Sequence, residues 1–585
     1  VTDEARYVIG LDIGDGESCL GWAPLDRPGE TLIYARPRTA ERSIVTAMAQ
    51  PPAGTVHRLI GDEAVTSPGA THISVSFKRA PDALGTGIPD AVLFAQSLLL
   101  EFREQHPEVF RDATVCVGHP AGWPPEAVAA YDRHLALLGL PVRLVPESQS
   151  ALLHVRDRGR AESELERVLV VDIGSSTTDF TVVEDLTPRN LPVGAAVGCR
   201  QIDEWLAGRV RSALRHDTAL SAALAVDGGP ALLLLACRWA KEAQFSGESR
   251  RIMNLRESCD ERFRPIVATA WTWLLDLDIT HMLTEPGGWG DDFRAVLAEV
   301  AALLGDRHPT LVVLTGGGSR IPLAGRLCHE IFPAAAVEQD EEPAFAVARG
   351  LVSNGRRRAE VRRFRQDVAD LMRAPETEAK VRTEAVLALD GMKDKIAEQV
   401  LEARESSADL ANHIKFGMFD AKLALAESLA FYLSMRVERI CRRYGVPAHR
   451  VHLELNLPDL FTAQLDRILD RVGKAERLTE FSTPAGLAQF AAPQNVAHHL
   501  VSSALERVRA RFAPALTPEV AAFAIGAVTT GSGFAADRAA RTFIQRMLRL
   551  GEYSPDELDQ ITADVLKAIT EQTDDRAREL ERWLA

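Results

Sequence analysis

The sequence predicts an α/β protein over residues 1–352, followed by a mostly α-helical region up to residue 585. Three observations carry this. Short β-branched runs bounded by Gly, Pro or Asp alternate with helical stretches in the first part. From about residue 356 the β signal fades, and apolar and charged residues recur at helical spacing. Two of the strand runs also end alike, on an aspartate followed by a glycine turn.

The strand runs are YVIGLDI (7–13), TVCVG (114–118), VRLV (142–145), RVLVVDI (167–173), DFTVVE (179–184) and TLVVLT (310–315). Helical patterns lie between them, as in 124–139 and 202–216. The basic stretch SNGRRRAEVRRFR (353–365) breaks the pattern, so 353–375 reads as a basic linker or helix start, either solvated or docking an acidic partner. Segments 376–405, 408–445, 459–478, 495–513 and 535–550 then read as helices of a domain spanning 376–585, punctuated by prolines such as Pro447, Pro484 and Pro518. VHLELNL (451–457) is a strand or an extended connector. The apolar stripe of 416–440 is core or a partner groove. His498 and His499 point to different helix faces, which does not suit a metal. No period of 20 to 50 residues repeats, which argues against a solenoid.

Lys plus Arg total 67 against 82 Asp plus Glu, a net charge of −15 that does not indicate a nucleic-acid-coating protein. The composition, 46% hydrophobic and 25% charged, is that of an ordinary globular chain. Seven dispersed cysteines, none in a C-x-x-C pair, point to neither a zinc ribbon nor a disulfide framework. The start VTDEARYVIG has no signal-peptide pattern. The longest aliphatic run, Val520 to Ala536, is broken by Gly526, Thr529, Gly531 and Gly533 and falls short of the roughly 20 apolar residues of a span. No membrane span and a cytoplasmic location are expected.

Chemistry concentrates in three turns. Ile9–Ser18 (IGLDIGDGES) and Val170–Asp179 (VVDIGSSTTD) each carry a strand, an aspartate and a turn that leads back into a strand. Glycine lets backbone N–H groups approach phosphate oxygens, and a strand-end carboxylate suits Mg²⁺. The third, LVVLTGGGSRIP (311–322), runs from a strand through three glycines toward a helix, which suits close approach to a nucleoside or phosphate.

In this order the turns resemble the ATPase domain shared by actin, sugar kinases and the DnaK-like heat-shock chaperones, the chaperone branch most closely. IGLDIGDGES is similar to that family's first phosphate loop, VVDIGSSTTDF to its second and LTGGGSRIP to its adenosine loop. Residues 113–155 resemble its connecting segment, LIGDEA with ISVSFKRA its approach to the catalytic lysine, and ACRWAKEAQFS (236–246) its adenosine-contacting helix. The resemblance spans about residues 5–352. It implies a bilobed fold of duplicated ribonuclease-H-like subdomains, binding ATP or ADP with Mg²⁺ and hydrolysing ATP weakly.

Carried over by residue, the resemblance makes Asp12 and Asp172 ligands of Mg²⁺ through water. Lys78 would position the γ-phosphate and the attacking water, and Glu147 would orient that water. Thr177 and Asp179 would line the second loop, Asp179 as proton acceptor. Gly14, Asp15 and Gly16 would form the first phosphate loop, and Gly174, Ser175 and Ser176 the second. Gly316, Gly317, Gly318 and Arg320 would frame adenine and ribose, with Lys241 reaching across from the other subdomain. These assignments suit phosphoryl transfer to water, in which positioning and charge compensation do most of the work.

The sequence departs from the family at several points. Asp15 and Glu17 add carboxylates where small hydroxyl residues are usual, and these repel a triphosphate unless screened. Ser175 and Ser176 stand in place of glycines, and Arg238 and Glu242 carry signs opposite to the family's. After residue 352 the likeness stops, with no β-rich peptide-binding domain. The implied role is a chaperone-like switch or assembly factor whose helical region binds a protein partner or self-associates. An actin-like filament or scaffold protein, a non-hydrolysing nucleotide sensor and a small-molecule kinase are the alternatives.

Overall fold

The computed structural model describes residues 5–444, 545 and 553–581, apart from 27–28, 38, 53–56, 83–86, 140, 158–166, 185–186, 195–196, 248 and 407–409. It is a mixed α/β protein with two compact units, one built on residues up to Ala359 and one on the described residues from Glu360 to Leu580. The helices expected at 459–478 and 495–513, most of that at 535–550, the segment 451–457, His498, His499 and the run 520–536 lie outside the described residues.

The first unit holds three sheets. In the first, β1 (Tyr7–Ile13), β2 (Glu17–Pro24) and β3 (Leu32–Ile33) precede β8 (Ala113–His119) and β9 (Val142–Pro146) in the order β3-β2-β1-β8-β9, and β4 (Ile44–Val45) pairs with β2. The small second sheet has the order β6-β5-β7, from β5 (Ala47–Gln50), β6 (Leu59–Ile60) and β7 (Thr71–Val75). The third uses β10 (Arg167–Ile173), β11 (Thr178–Glu184), β12 (Thr187–Leu191), β13 (Leu311–Thr315) and β14 (Ala336–Gln339) in the order β12-β11-β10-β13-β14.

The first and third sheets have one plan. In each, the leading strand pairs antiparallel with the next and parallel with a strand more than 100 residues on. In each, aspartate is the sixth of seven residues in that leading strand, Asp12 in YVIGLDI and Asp172 in RVLVVDI. Both strands read as near-continuous apolar runs because both sheets are covered on both faces.

The helices do the covering. α1 (Asp90–Gln105) buries Phe94, Leu98 and Phe102 against Ile9, Leu11 and Val115 of the first sheet. α2 (Glu147–Asp157) lies over a core to which both large sheets contribute, with Val8 and Cys116 from one and Val168, Val170 and Val313 from the other. On the far face of the third sheet lie α3 (Cys199–Ala213), α4 (Gly229–Ser246), α5 (Trp289–Leu304) and α6 (Pro322–Ile331), in a core that takes in Ala47, Ala49 and Ile73 of the small sheet. α7 (Ala346–Arg373) starts in the shared core with Val347, Leu351 and Val352. A Cβ on its Gly350 would come 1.7 Å from the carbonyl oxygen of Ser150 in α2, so these helices touch backbone to backbone.

The basic stretch 353–365, expected as a linker or helix start, lies inside α7. Arg357 is paired with Asp157, and Arg356 donates to the carbonyls of Pro24 and Gly29, so these arginines tie the first part of the helix to the first unit. Dense arginine does not end a helix, since Arg is a good helix former. In the second unit, α8 (Pro375–Ser406), α9 (Leu410–Arg443) and α10 (Pro555–Glu581) share a core including Val381, Leu389, Leu429, Leu433, Ile561 and Val565. One face of the 416–440 stripe is therefore core, while Leu423, Phe431 (74% exposed) and Met435 on α9 face outward.

Candidate functional site

The two strand-end aspartates belong to one buried polar cluster. Asp12 closes β1, and Asp172 closes β10 with Asp179 opposite it in the β10–β11 register. Glu147 opens α2 immediately after Pro146 of β9, and a Cβ on Gly118 would lie 3.0 Å from its Cγ, so glycine in β8 makes room for it. Lys78, three residues beyond β7, is buried and paired through Nζ with Glu147 Oε1. Its neighbour Arg79 is exposed. Asp179 accepts the N–H of Ala121 at 3.1 Å and the hydroxyl of Thr177 at 2.9 Å.

Four carboxylates therefore gather round one ammonium. Burial, then repulsion from Glu147, pushes the Asp12 carboxyl up to about 7, with Lys78 opposing. Asp179 rises to about 6 from the same two causes. Asp172 is raised well above the usual range by burial, then by Asp179 and Glu147. Burial works against the charge on Lys78, but Glu147 and Asp12 outweigh it and its pKa is raised. Such a cluster holds excess proton or attracts a cation. Among the described residues no three His, Cys, Asp or Glu side chains converge as direct metal ligands.

The hairpin turns sit beside this cluster and are tied together. The backbone at Gly14 folds so tightly that a Cβ would lie 2.1 Å from the Glu17 carbonyl oxygen. In the second turn Gly174 donates its N–H to the carbonyl of Thr177 at 2.8 Å. A Cβ on Gly198 would lie 2.8 Å from the Ser176 carbonyl oxygen, so glycine there lets the turn pack down on α3. The Asp15 carboxylate is buried between the turns. It accepts the backbone N–H of Lys78 (3.2 Å), the hydroxyl of Ser175 (3.2 Å) and Arg200 Nη1 (3.4 Å). Glu17 is paired with Arg251 and accepts the Ser43 hydroxyl. Both added carboxylates are thus screened by arginine.

Behind the second turn, α4 presents two buried cations. Lys241 Nζ lies 2.6 Å from Asp203 Oδ1 and 3.2 Å from the Cys199 carbonyl, and Arg238 Nε lies 3.3 Å from Asp203 Oδ2. Arg238 Nη2 donates to Ser76 at 2.7 Å and to Ser175 at 3.3 Å. Lys241 is therefore engaged by α3. Beyond β13, Gly316 has φ of 75° and leaves no room for a side chain, since a Cβ would lie 2.3 Å from Asp172 Oδ1. Gly318 abuts Ile173 and Cys199, whereas nothing lies within 4 Å of a Cβ on Gly317. Arg320 is exposed.

The fold thus gathers Asp12, Lys78, Glu147, Asp172, Thr177 and Asp179 in one cluster, sets the two turns against it and lays Gly316 on Asp172. Sequence reasoning missed Asp203, Arg200, Ser76 and Arg251. The signal for a buried cation site was present: α4 opens GPALLLLAC, apolar on every face, so it is a buried helix whose cations need partners. Comparison with protein families and with curated proteins returns no match.

The donor set fits a hydrated divalent cation at the carboxylates. It also fits a phosphorylated ligand in the turns, where the hydroxyl of Ser175, the N–H of Lys78 and Arg200 already bond an anion, the Asp15 carboxylate, and Arg238 bonds Ser175. Six of the seven cysteines are buried free thiols, and the Cys441 side chain lies outside the described residues. Among the described residues, no single helix is long and apolar enough to cross a membrane.

Proposed function

We propose that residues 5–352 form a bilobed, actin-like and DnaK-like ATPase that binds ATP or ADP with Mg²⁺ and hydrolyses ATP slowly. One observation carries the reading: two sheets of the same strand order each deliver an aspartate-closed hairpin, and the two hairpins are bonded to each other through Asp15 and Ser175. Mg²⁺, when bound, supplies charge neutralisation of phosphoryl oxygens. Asp12 and Asp172 hold its water shell. Lys78, fixed by Glu147, faces the transferred phosphoryl group. Asp179, with a carboxyl near 6 and its Oδ2 already a hydrogen-bond acceptor of Thr177, takes the proton of the attacking water. Gly316 and Gly317 give the nucleoside a surface without side chains.

Closure of the two halves on nucleotide then resets the helical second unit, in the manner of a chaperone-like switch or assembly factor. The outward-facing Leu423, Phe431 and Met435 on α9 support a protein partner or self-association there. Calorimetry with Mg²⁺ and ATP is the direct test, and absence of binding would refute the reading. Asp172→Asn combined with Lys78→Ala is expected to abolish phosphate release, and unchanged turnover would refute the assigned roles. The anchoring of Asp15 between the turns favours a second reading, a sensor that binds nucleotide without turnover; binding with no phosphate release decides for it.

A further inference from the structure

Arg238 is buried to 3% exposure, yet only part of its guanidinium is used. Nε and Nη2 are bonded to Asp203, Ser76 and Ser175, whereas Nη1 is buried with no hydrogen-bond partner among the described residues. A buried donor without an acceptor is rare and costly, and a guanidinium fork matches phosphate geometry. Nη1 also has a direction. A Cβ on Gly16 of the first turn would lie 3.1 Å from it and 3.4 Å from Ser175 Cβ. Glycine at position 16 therefore lets the main chain of the first turn lie close against the guanidinium, where any side chain would crowd Nη1. A second cation reaches the same place, with Arg200 Nη1 at 3.4 Å from both oxygens of Asp15 on a side chain still 24% exposed.

We infer that Arg238 and Arg200 form an arginine clamp for a phosphate group of the ligand, which enters beside Gly16, Ser175 and Asp15 as the two turns part. The inference rests on the nucleotide reading above for the rest of the ligand; the anion position itself stands on Nη1 and Arg200. Asp203 and Ser76 hold the Arg238 plane still, so that Nη1 gains its missing acceptor when a phosphate oxygen arrives. Arg200 keeps its bond to Asp15, so that carboxylate stays screened, and adds positive charge beside the phosphate. The clamp answers the departure in the second turn, since guanidinium donors supply what the side chains of Ser175 and Ser176 withhold from a purely main-chain cradle.

Calorimetry on the full chain with Mg²⁺-ATP, adenosine and inorganic tripolyphosphate tests the clamp. Wild type binds ATP and tripolyphosphate. Arg238→Gln weakens both by about tenfold or more, the scale of one lost charge-assisted hydrogen bond, and leaves adenosine within about twofold. Arg238→Lys, which keeps the charge without the fork, falls between them. A thermal melt reports whether Arg238→Gln folds; if it does not, Arg200→Gln on the partly exposed side chain carries the test, with a loss of about threefold or more. Undiminished ATP and tripolyphosphate binding in both glutamine variants overturns the clamp and leaves the nucleotide reading standing. Tripolyphosphate binding without ATP binding refutes the nucleotide reading and leaves the clamp. No binding of either by wild type refutes both.

Discussion

The hydroxyl of Ser175 donates to the Asp15 carboxylate at 3.2 Å, joining two hairpin turns that lie 160 residues apart in the chain. Because Lys78 and Arg200 converge on the same carboxylate, Asp15 is the point at which the two large sheets are fastened beside the carboxylate cluster. Asp15→Asn keeps the shape and removes the charge. It is expected to lower stability by about 2 kcal/mol, the scale of hydrogen bonds to a charged group. Urea denaturation reads this, and an unchanged midpoint would show that the fastening carries no energy.

Asp203 is fully buried and is paired with both Lys241 and Arg238. Removing it strands two buried cations rather than one. Asp203→Ala is expected to cost about 3–5 kcal/mol, as for a broken buried ion pair, against a far smaller effect for an exposed pair such as Arg264–Glu261. Parallel denaturation of the two variants makes the comparison.

The carboxylate cluster sets a pH dependence. In the folded chain the Asp12 carboxyl stands at about 7 and Asp179 at about 6, whereas in the unfolded chain both lie near 4. Between these values the folded state keeps protons that the unfolded state has released, so the stability these groups contribute is present at low pH and is lost as pH rises through 6 to 7. The melting temperature is expected to fall between pH 5 and 8, and Asp12→Asn with Asp179→Asn to flatten that fall. An equally steep fall in the double variant would exclude these groups as its source.

Neighbouring glycines after β13 should behave differently. Gly316→Ala drives a Cβ against Asp172 in a left-handed backbone and is expected to cost about 1–3 kcal/mol. Gly317→Ala points into open space and is expected to stay within about 0.5 kcal/mol while weakening nucleotide binding. Equal stability losses would contradict the geometry.

The part of the fold legible in the sequence is the part written in apolar runs. The strands 7–13, 167–173 and 311–315 are near-continuous apolar segments, and in the first two Asp12 and Asp172 stand out because their neighbours along the strand are apolar. In the small sheet β6 has two residues, and β5 (AMAQ) and β7 (THISV) lack a continuous run of β-branched apolar residues, so no strand signal shows there. Lys78 was legible only through its likeness to a family motif, since an adjacent Lys-Arg pair reads as surface. The partners of Lys241 were not legible because Asp203 sits between Ile202 and Leu206, on what a helical wheel draws as the boundary of a wet face. Pairings across 35 or 185 residues, as for Arg238–Asp203 and Arg200–Asp15, follow from topology, which no local window contains.

The backbone contact between Gly350 and Ser150 has a mechanical side. Helices normally interlock by ridges set into grooves, and moving one along the other means lifting side chains out of their seats. At a glycine facing bare carbonyl there is no ridge to lift. The crossing of α2 and α7 is therefore set at this point by main-chain contact and not by interlocked side chains. A single methyl group at position 350 would act as a wedge between the two helices.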